Sequence, residues 1–356
     1  MPAHLQLERA PATVGNDASP PRVDALALLR AGALEMHYQP ILDLPSNTIR
    51  KVEALARLRD GDRLLLPGEF LPRLDSEGLH ELFVLGLDAA LRDRNCWLLH
   101  GVSLDISLNL PPSALADGRY VEATRCALER HGCPASVLTL EVLESGDIGD
   151  ATHAAAQFQR FSALGVNMAE DDLGAGYSSL VRLRELDFQW IKIDRSIVQL
   201  TGRDDAEVLQ FVYLLTRLGH SLGKLVIVEG VEDASLVAAT RVLGVDAVQG
   251  YGVGRPMPAS AILECLAGRP LAPSEPVAPS SALERLAKLL LVEERLQACQ
   301  GVDLGQRERF LADLAAIYPE GSVQALATQH LIDTAIQHGV SSAAYRQERR
   351  RLTDTA

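Results

Sequence analysis

Between residues 35 and 268 the chain alternates two kinds of hydrophobic pattern. One is a short, almost continuous apolar run closed by a polar residue: RKVEAL around Glu53, VSLDISLN ending at Asn109, VLTLE ending at Glu141, LGVNMAEDD ending at Asp171 and Asp172, FQWIKID around Lys192, KLVIVE ending at Glu229 and VDAVQ ending at Gln249. The other repeats its apolar residues at helical spacing, as in LFVLGLDAALRDRN, YVEATRCALERHG, THAAAQFQRFSALG, AEVLQFVYLLTRLGHSLG and DASLVAATRVLG. Runs of the first kind are too apolar to leave one face wet, so they predict strands buried on both sides; their alternation with helices predicts βα units around a parallel sheet. With EMHYQPILDL as a first strand, seven or eight strands over about 240 residues suit a closed (β/α)8 barrel, and an open doubly wound sheet is the alternative.

The flanks differ in character. Residues 1–22, rich in Pro, Ala and polar residues without periodicity, predict a disordered leader, and VDALALLRAGAL (23–34) predicts a helix leading into the barrel, which is expected over 23–268. In 269–281, Pro270, Pro273, Pro276 and Pro279 recur every third residue and predict an extended, semi-rigid linker. Residues 282–356 predict a small α-helical tail: Ser281 and Glu284 form a capping-box pattern, and Leu283, Leu286, Ala287 and Leu290 lie at helical spacing. A tail of this size is short for a core of its own, so it is expected to pack on the barrel or on a second copy.

Composition narrows the class. Of 356 residues, 47% are hydrophobic and 23% charged, and no apolar stretch reaches the roughly 18 residues of a membrane span. The N-terminus lacks a basic start followed by an apolar core, so a cytoplasmic protein without a secretion signal is expected. Five scattered cysteines without CxxC spacing suit reduced thiols rather than disulfides or zinc. A net charge of −13 argues against a duplex nucleic-acid binder but leaves room for a phosphate ligand if cations supply positive charge.

Barrel closure brings distant residues together, because side chains at the carboxyl ends of the strands converge on one mouth. Glu53, Asn109, Glu141, Asp171, Asp172 and Glu229 would then form a pocket of hard oxygen donors that repel one another unless protons or cations intervene. Oxygen-only ligation favours Mg2+ or Mn2+ over zinc, and two adjacent aspartates are suited to a pair of ions of the kind that hydrolyses phosphate esters. Lys192 in the same ring would sit beside the attacking water. GAGYSS (174–179), which lacks a third glycine, reads as an active-site loop rather than a dinucleotide-binding turn.

Together the motifs resemble the EAL domain family of cyclic di-GMP phosphodiesterases. VEALARL (52–58) resembles the signature that names it, and YQPILDL, ISLNLPPSAL, LEVLESGDI, DDLGAGYSSL, IKIDRSIV, VIVEGVED and VQGYGVGRPMP follow in the family's order. The resemblance implies a modified TIM barrel whose first strand is antiparallel to the rest. It implies metal ligation by Glu53, Asn109, Glu141 and Asp171, completed by Asp172 and Glu229, with Lys192 assisting the attacking water. It also implies substrate-contacting or site-shaping roles for Gln39, Leu55, Arg57, Asp194, Glu232 and Gln249, and a loop-steadying role for Glu144. Arg57 has a rationale of its own, as a guanidinium fork for phosphate. Leu143, Leu173 and Ala175 depart from the family's usual residues around the loop that couples the metal site to dimerisation. With about 34 residues ahead of the first strand, no cyclase module is expected before the barrel.

The function this implies is hydrolysis of cyclic di-GMP to linear pGpG with two Mg2+ or Mn2+ ions, by a homodimer in bacterial second-messenger signalling. The alternative is a non-catalytic cyclic di-GMP receptor that signals through the helical tail or a protein partner. A third possibility, an interaction scaffold, leaves the ring of acids without a purpose.

Overall fold

The computed structural model describes residues 24–143, 151–173, 179–199, 205–267, 281–298, 323–339 and 342–354, with Asp313 and Ile317. The predicted leader, nearly all of the predicted linker, Glu144 and Ala175 lie outside the described residues.

The strands are β1 (Leu34–Asp43), β2 (Thr48–Asp60), β3 (Arg63–Leu65), β4 (Asp105–Leu110), β5 (Leu138–Leu143), β6 (Asn167–Leu173), β7 (Trp190–Ile193), β8 (Leu225–Val228), β9 (Ala247–Gln249) and β10 (Met257–Pro258). From β2 the order runs through β4, β5, β6, β7 and β8 to β9 with every neighbour parallel. The first strand, β1, then pairs antiparallel with both β9 and β2. That double pairing closes a barrel and rules out the open sheet; the fold is the α/β modified TIM barrel with a reversed first strand. Outside the ring, β3 extends β2 and β10 pairs with β1.

Alternation along each strand sorts its side chains. In β5 all six positions are buried: Leu138, Leu140 and Val142 join the core beneath the helices, while Thr139 and Glu141 meet Lys51 and Lys192 inside the barrel. The same logic makes β2 longer than its apolar run. Glu53 sits mid-strand, not at a tip as its sequence suggested, because β2 keeps pairing with β1 as far as Leu58↔Leu34 and turns into a hairpin with β3. An antiparallel ladder tolerates a wet position at its end, so the exposed Arg59 does not end the strand.

Helices Ser76–Leu99, Arg119–His131 and Ala151–Leu164 cover one side of the barrel, with Phe83, Leu87, Leu128, Phe158 and Phe161 in its main core. Helices Asp205–Ser221 and Ala234–Val242 cover β7 to β9. The tail packs on this second side. Helix Ala282–Ala298 begins with Ser281 Oγ accepting from the Glu284 amide at 3.1 Å and lies against both helices. Leu286, Ala287, Leu289 and Leu290 thereby share one core with Val226, Val228, Ala239 and Leu243 of the barrel. Each fully buried leucine is worth about 1.5–3 kcal/mol. Helices Val323–His338 and Ala343–Asp354 complete the tail, and Tyr345 Oη and Arg349 donate to the two oxygens of the buried Glu293 at 2.8 and 3.0 Å. Among the described residues, no helix is long and apolar enough to cross a membrane.

Candidate active site

Lys192 stands at the centre of the barrel mouth with no side-chain exposure. Its ammonium is 2.6 Å from Glu229, 2.7 Å from Glu141, 3.1 Å from Asp171 and 3.6 Å from Glu53. One rim residue therefore touches acids from four other strands or their ends. Burial opposes the charge on this lysine, but the four carboxylates outweigh it and hold the ammonium well above its usual pKa.

The acids divide according to how they are held. Burial also opposes ionisation of Glu53, yet Lys192 and hydrogen bonds from Gln249 (2.5 Å) and Asn109 (2.9 Å) outweigh it, so this carboxyl is pulled below its usual value. Glu141, below the rim, accepts from Ser107 and Lys192; burial dominates there, and its pKa is pushed up to about 8. Burial likewise raises Asp171 and Glu229, against the pull of Lys192. A single ammonium faces five carboxylates once Asp172 is included, so the site favours additional positive charge.

Asp171 and Asp172 are neighbours, and in a regular strand they would point to opposite faces. They converge because β6 carries a bulge. Glu170 pairs with Ile191 and Leu173 with Ile193, so β6 spends one residue more than β7 over this interval, and Asp172 takes a φ of 62°. One oxygen each from Asp171, Asp172 and Glu229 consequently lies within 4.8 Å of the others, all three residues being buried. Neither oxygen of Asp171 accepts a hydrogen bond of ordinary geometry, although both are buried. Hard carboxylate oxygens converging in this way fit a hard divalent cation. Glu229 follows β8 in a turn that needs glycine: Gly230 has a φ of 70°, and a Cβ there would come within 2.5 Å of Arg195 Cβ.

A cavity of about 520 Å³ opens above these acids. Gln39, Leu55, Arg57, Glu232 and Gln249 line it, as do Asn109 and Glu229. Asp194 is not among its lining residues; its carboxylate accepts from the Ser196 amide at 2.9 Å and caps helix Arg195–Val198. Glu144 lies outside the described residues. Arg195 and Gln199 are among the lining residues missed in the sequence, the latter donating to Glu232 at 2.8 Å. The only sequence signal for them was their place one and five positions after Asp194. An apolar arm of the cavity, walled by Met36, Phe70, Leu82 and Phe83, runs towards helix Ser76–Leu99 and was also missed, because these residues read simply as core.

The EAL domain model matches residues 22–256. The chain belongs to the EAL domain family. It is 35% identical over 249 residues to the bifunctional diguanylate cyclase/cyclic di-GMP phosphodiesterase MucR of Pseudomonas aeruginosa, covering 68% of this chain and 36% of that protein. It is 35% identical over 243 residues to the cyclic di-GMP phosphodiesterase NbdA of the same organism, covering 67% of this chain and 31% of that protein. The chain thus matches about a third of the length of these curated relatives. Among solved structures, the MucR phosphodiesterase in complex with cyclic di-GMP aligns with a TM-score of 0.62 at 35% identity, over 67% of this chain and 98% of that one. An EAL domain protein from Listeria monocytogenes aligns with a TM-score of 0.60 at 27% identity, over 71% of this chain and 99% of that one. The matched region is the barrel; the tail helices lie beyond the match to the family model.

Proposed function

We propose that this EAL barrel hydrolyses one phosphodiester bond of cyclic di-GMP to give linear pGpG, with two Mg2+ or Mn2+ ions held by Glu53, Asn109, Glu141, Asp171, Asp172 and Glu229. The observation that carries the reading is the complete acid ring closed around Lys192, with Asp171, Asp172 and Glu229 oriented as a ligand cluster. Divalent ions there would supply an activated water and stabilise the departing 3′ oxygen.

The chain's own residues supply orientation. Asn109 and Gln249 fix the Glu53 carboxylate from two sides, and Ser107 fixes Glu141. The Lys192 ammonium keeps its proton among these carboxylates, which supports a role for it beside the attacking water. Arg57 and Arg195 line the cavity as guanidinium forks suited to phosphate. The apolar wall formed by Leu55, Phe70 and Leu82 suits the flat face of a purine. The reading brings with it a homodimer in the cytoplasm and a protein partner that binds through the C-terminal helices.

The test is incubation of purified protein with cyclic di-GMP and Mn2+, followed by chromatography for pGpG, with Glu53→Ala beside it. The expected result is pGpG from the unsubstituted chain and none from the variant. Cyclic di-GMP binding without pGpG would instead favour a receptor.

A further inference from the structure

We infer that Arg182 is a positioning residue for the Asp171–Asp172 ligand pair, acting through the buried Glu170. The inference rests on the metal-site reading above and adds a residue to it.

Glu170 immediately precedes Asp171 and is fully buried. Strand alternation turns it away from the barrel interior, where Asp171 meets Lys192, towards helix Ser179–Glu185. Arg182 of that helix donates from one guanidinium nitrogen to Glu170 Oε2 at 2.9 Å and from the other to the Leu143 carbonyl oxygen at 3.2 Å. Leu143 is the register partner of Asp171 on β5. Arg182 therefore grips both sides of Asp171: the residue before it on its own strand, and the residue opposite it on the neighbouring strand.

This grip falls where the backbone needs it. The bulge begins directly after Glu170, and Asp172 within it holds a left-handed φ that only a few residue types adopt readily. A buried ion pair adds little net stability compared with apolar packing, so its use here is geometric. The guanidinium fork is required for that use, since two acceptors on two strands are engaged by separate nitrogens, and the single ammonium of a lysine is a point charge. Residues that orient metal ligands from behind typically change metal affinity by about 10- to 100-fold when removed.

The experiment is Mn2+ titration followed by electron paramagnetic resonance at fixed pH, with amide hydrogen exchange over 167–173, on the full chain. It compares the unsubstituted protein with R182M, R182K and, as a control for general destabilisation, L290A in the tail core. The expected result is Mn2+ binding weakened about 10- to 100-fold in R182M, less in R182K, with faster exchange at 170–173 in both and Mn2+ affinity unchanged in L290A. Should R182M fail to fold, R182K carries the comparison. Mn2+ affinity in R182M and R182K within about twofold of the unsubstituted chain, or a loss matched by L290A, would overturn the inference while leaving the metal site standing. An unsubstituted chain that binds no Mn2+ would overturn both.

Discussion

Lys192 and Glu141 meet at 2.7 Å inside the barrel mouth, each with no side-chain exposure, so the ammonium among the rim acids is fixed from below. Removing one partner of a buried ion pair costs about 3–5 kcal/mol, because the other charge is left uncompensated. Lys192→Met should therefore lower the melting temperature of metal-free protein. Mn2+ should restore more of it than Mn2+ adds to the unsubstituted chain. Turnover should fall by about 10²–10⁴ if Nζ holds the water. Thermal melts with EDTA and with Mn2+ separate the two effects, and an equal Mn2+ increment in both proteins would contradict the shared-cage picture.

Asp172 offers a different kind of test, because its backbone and its carboxylate do separate things. At a φ of 62°, glycine is relaxed and alanine is strained by about 1 kcal/mol. Asp172→Gly should melt close to the unsubstituted protein in EDTA and lose most of its Mn2+-dependent turnover. Asp172→Ala should lose the same turnover and melt lower. Equal melting temperatures would show that the bulge relaxes when the carboxylate is removed.

The alternation of apolar runs and helical segments made the barrel legible, since a buried parallel strand has few other ways to be written. The acids were legible for a related reason: Glu141, Asp171 and Glu229 interrupt runs that are otherwise apolar, and an ionisable group in such a place needs a partner. What could not be read was the side on which each acid falls. Glu170, Asp171 and Asp172 are three carboxylates in a row, and only the bulge decides that the last two share a face while Glu170 meets Arg182. Arg195 and the apolar arm around Phe70 were hidden because their roles depend on which loops meet over the mouth, which no local pattern records. The length of β2 was hidden for the same reason, as its second half is supported by β1 and β3 rather than by its own composition.

The surroundings of Glu293 set the sign of a pH dependence in the tail. Burial raises its pKa above the ordinary carboxyl value, against the pull of Arg349 and Tyr345. An acid whose folded pKa is raised favours the fold fully below its unfolded pKa, about 4.3, and loses that contribution as pH rises through the folded value. Glu293→Gln removes this titration while leaving an acceptor for Tyr345. The melting temperature of the variant minus that of the parent should increase as pH is raised from about 4 to 7. A difference that moves the other way would mean that attraction to Arg349 outweighs burial.

The tail's contribution to the barrel can be measured at one side chain and then at the whole extension. Leu290 is 3% exposed in the core shared with Val226, Val228 and Leu243, so Leu290→Ala should cost about 2–5 kcal/mol. Truncation at Pro270 removes Leu286, Ala287, Leu289 and Leu290 together and uncovers the helices that flank β8 and β9, the strands leading to Glu229 and Gln249. The truncated chain should therefore melt lower and aggregate more readily. Its turnover per folded molecule tells whether the tail also acts on the site. Unchanged turnover at a temperature where both proteins are folded would assign the tail to stability alone. A change in kcat at constant stability, checked with L290A as the matched destabilised control, would show that tail packing reaches Glu229 through β8.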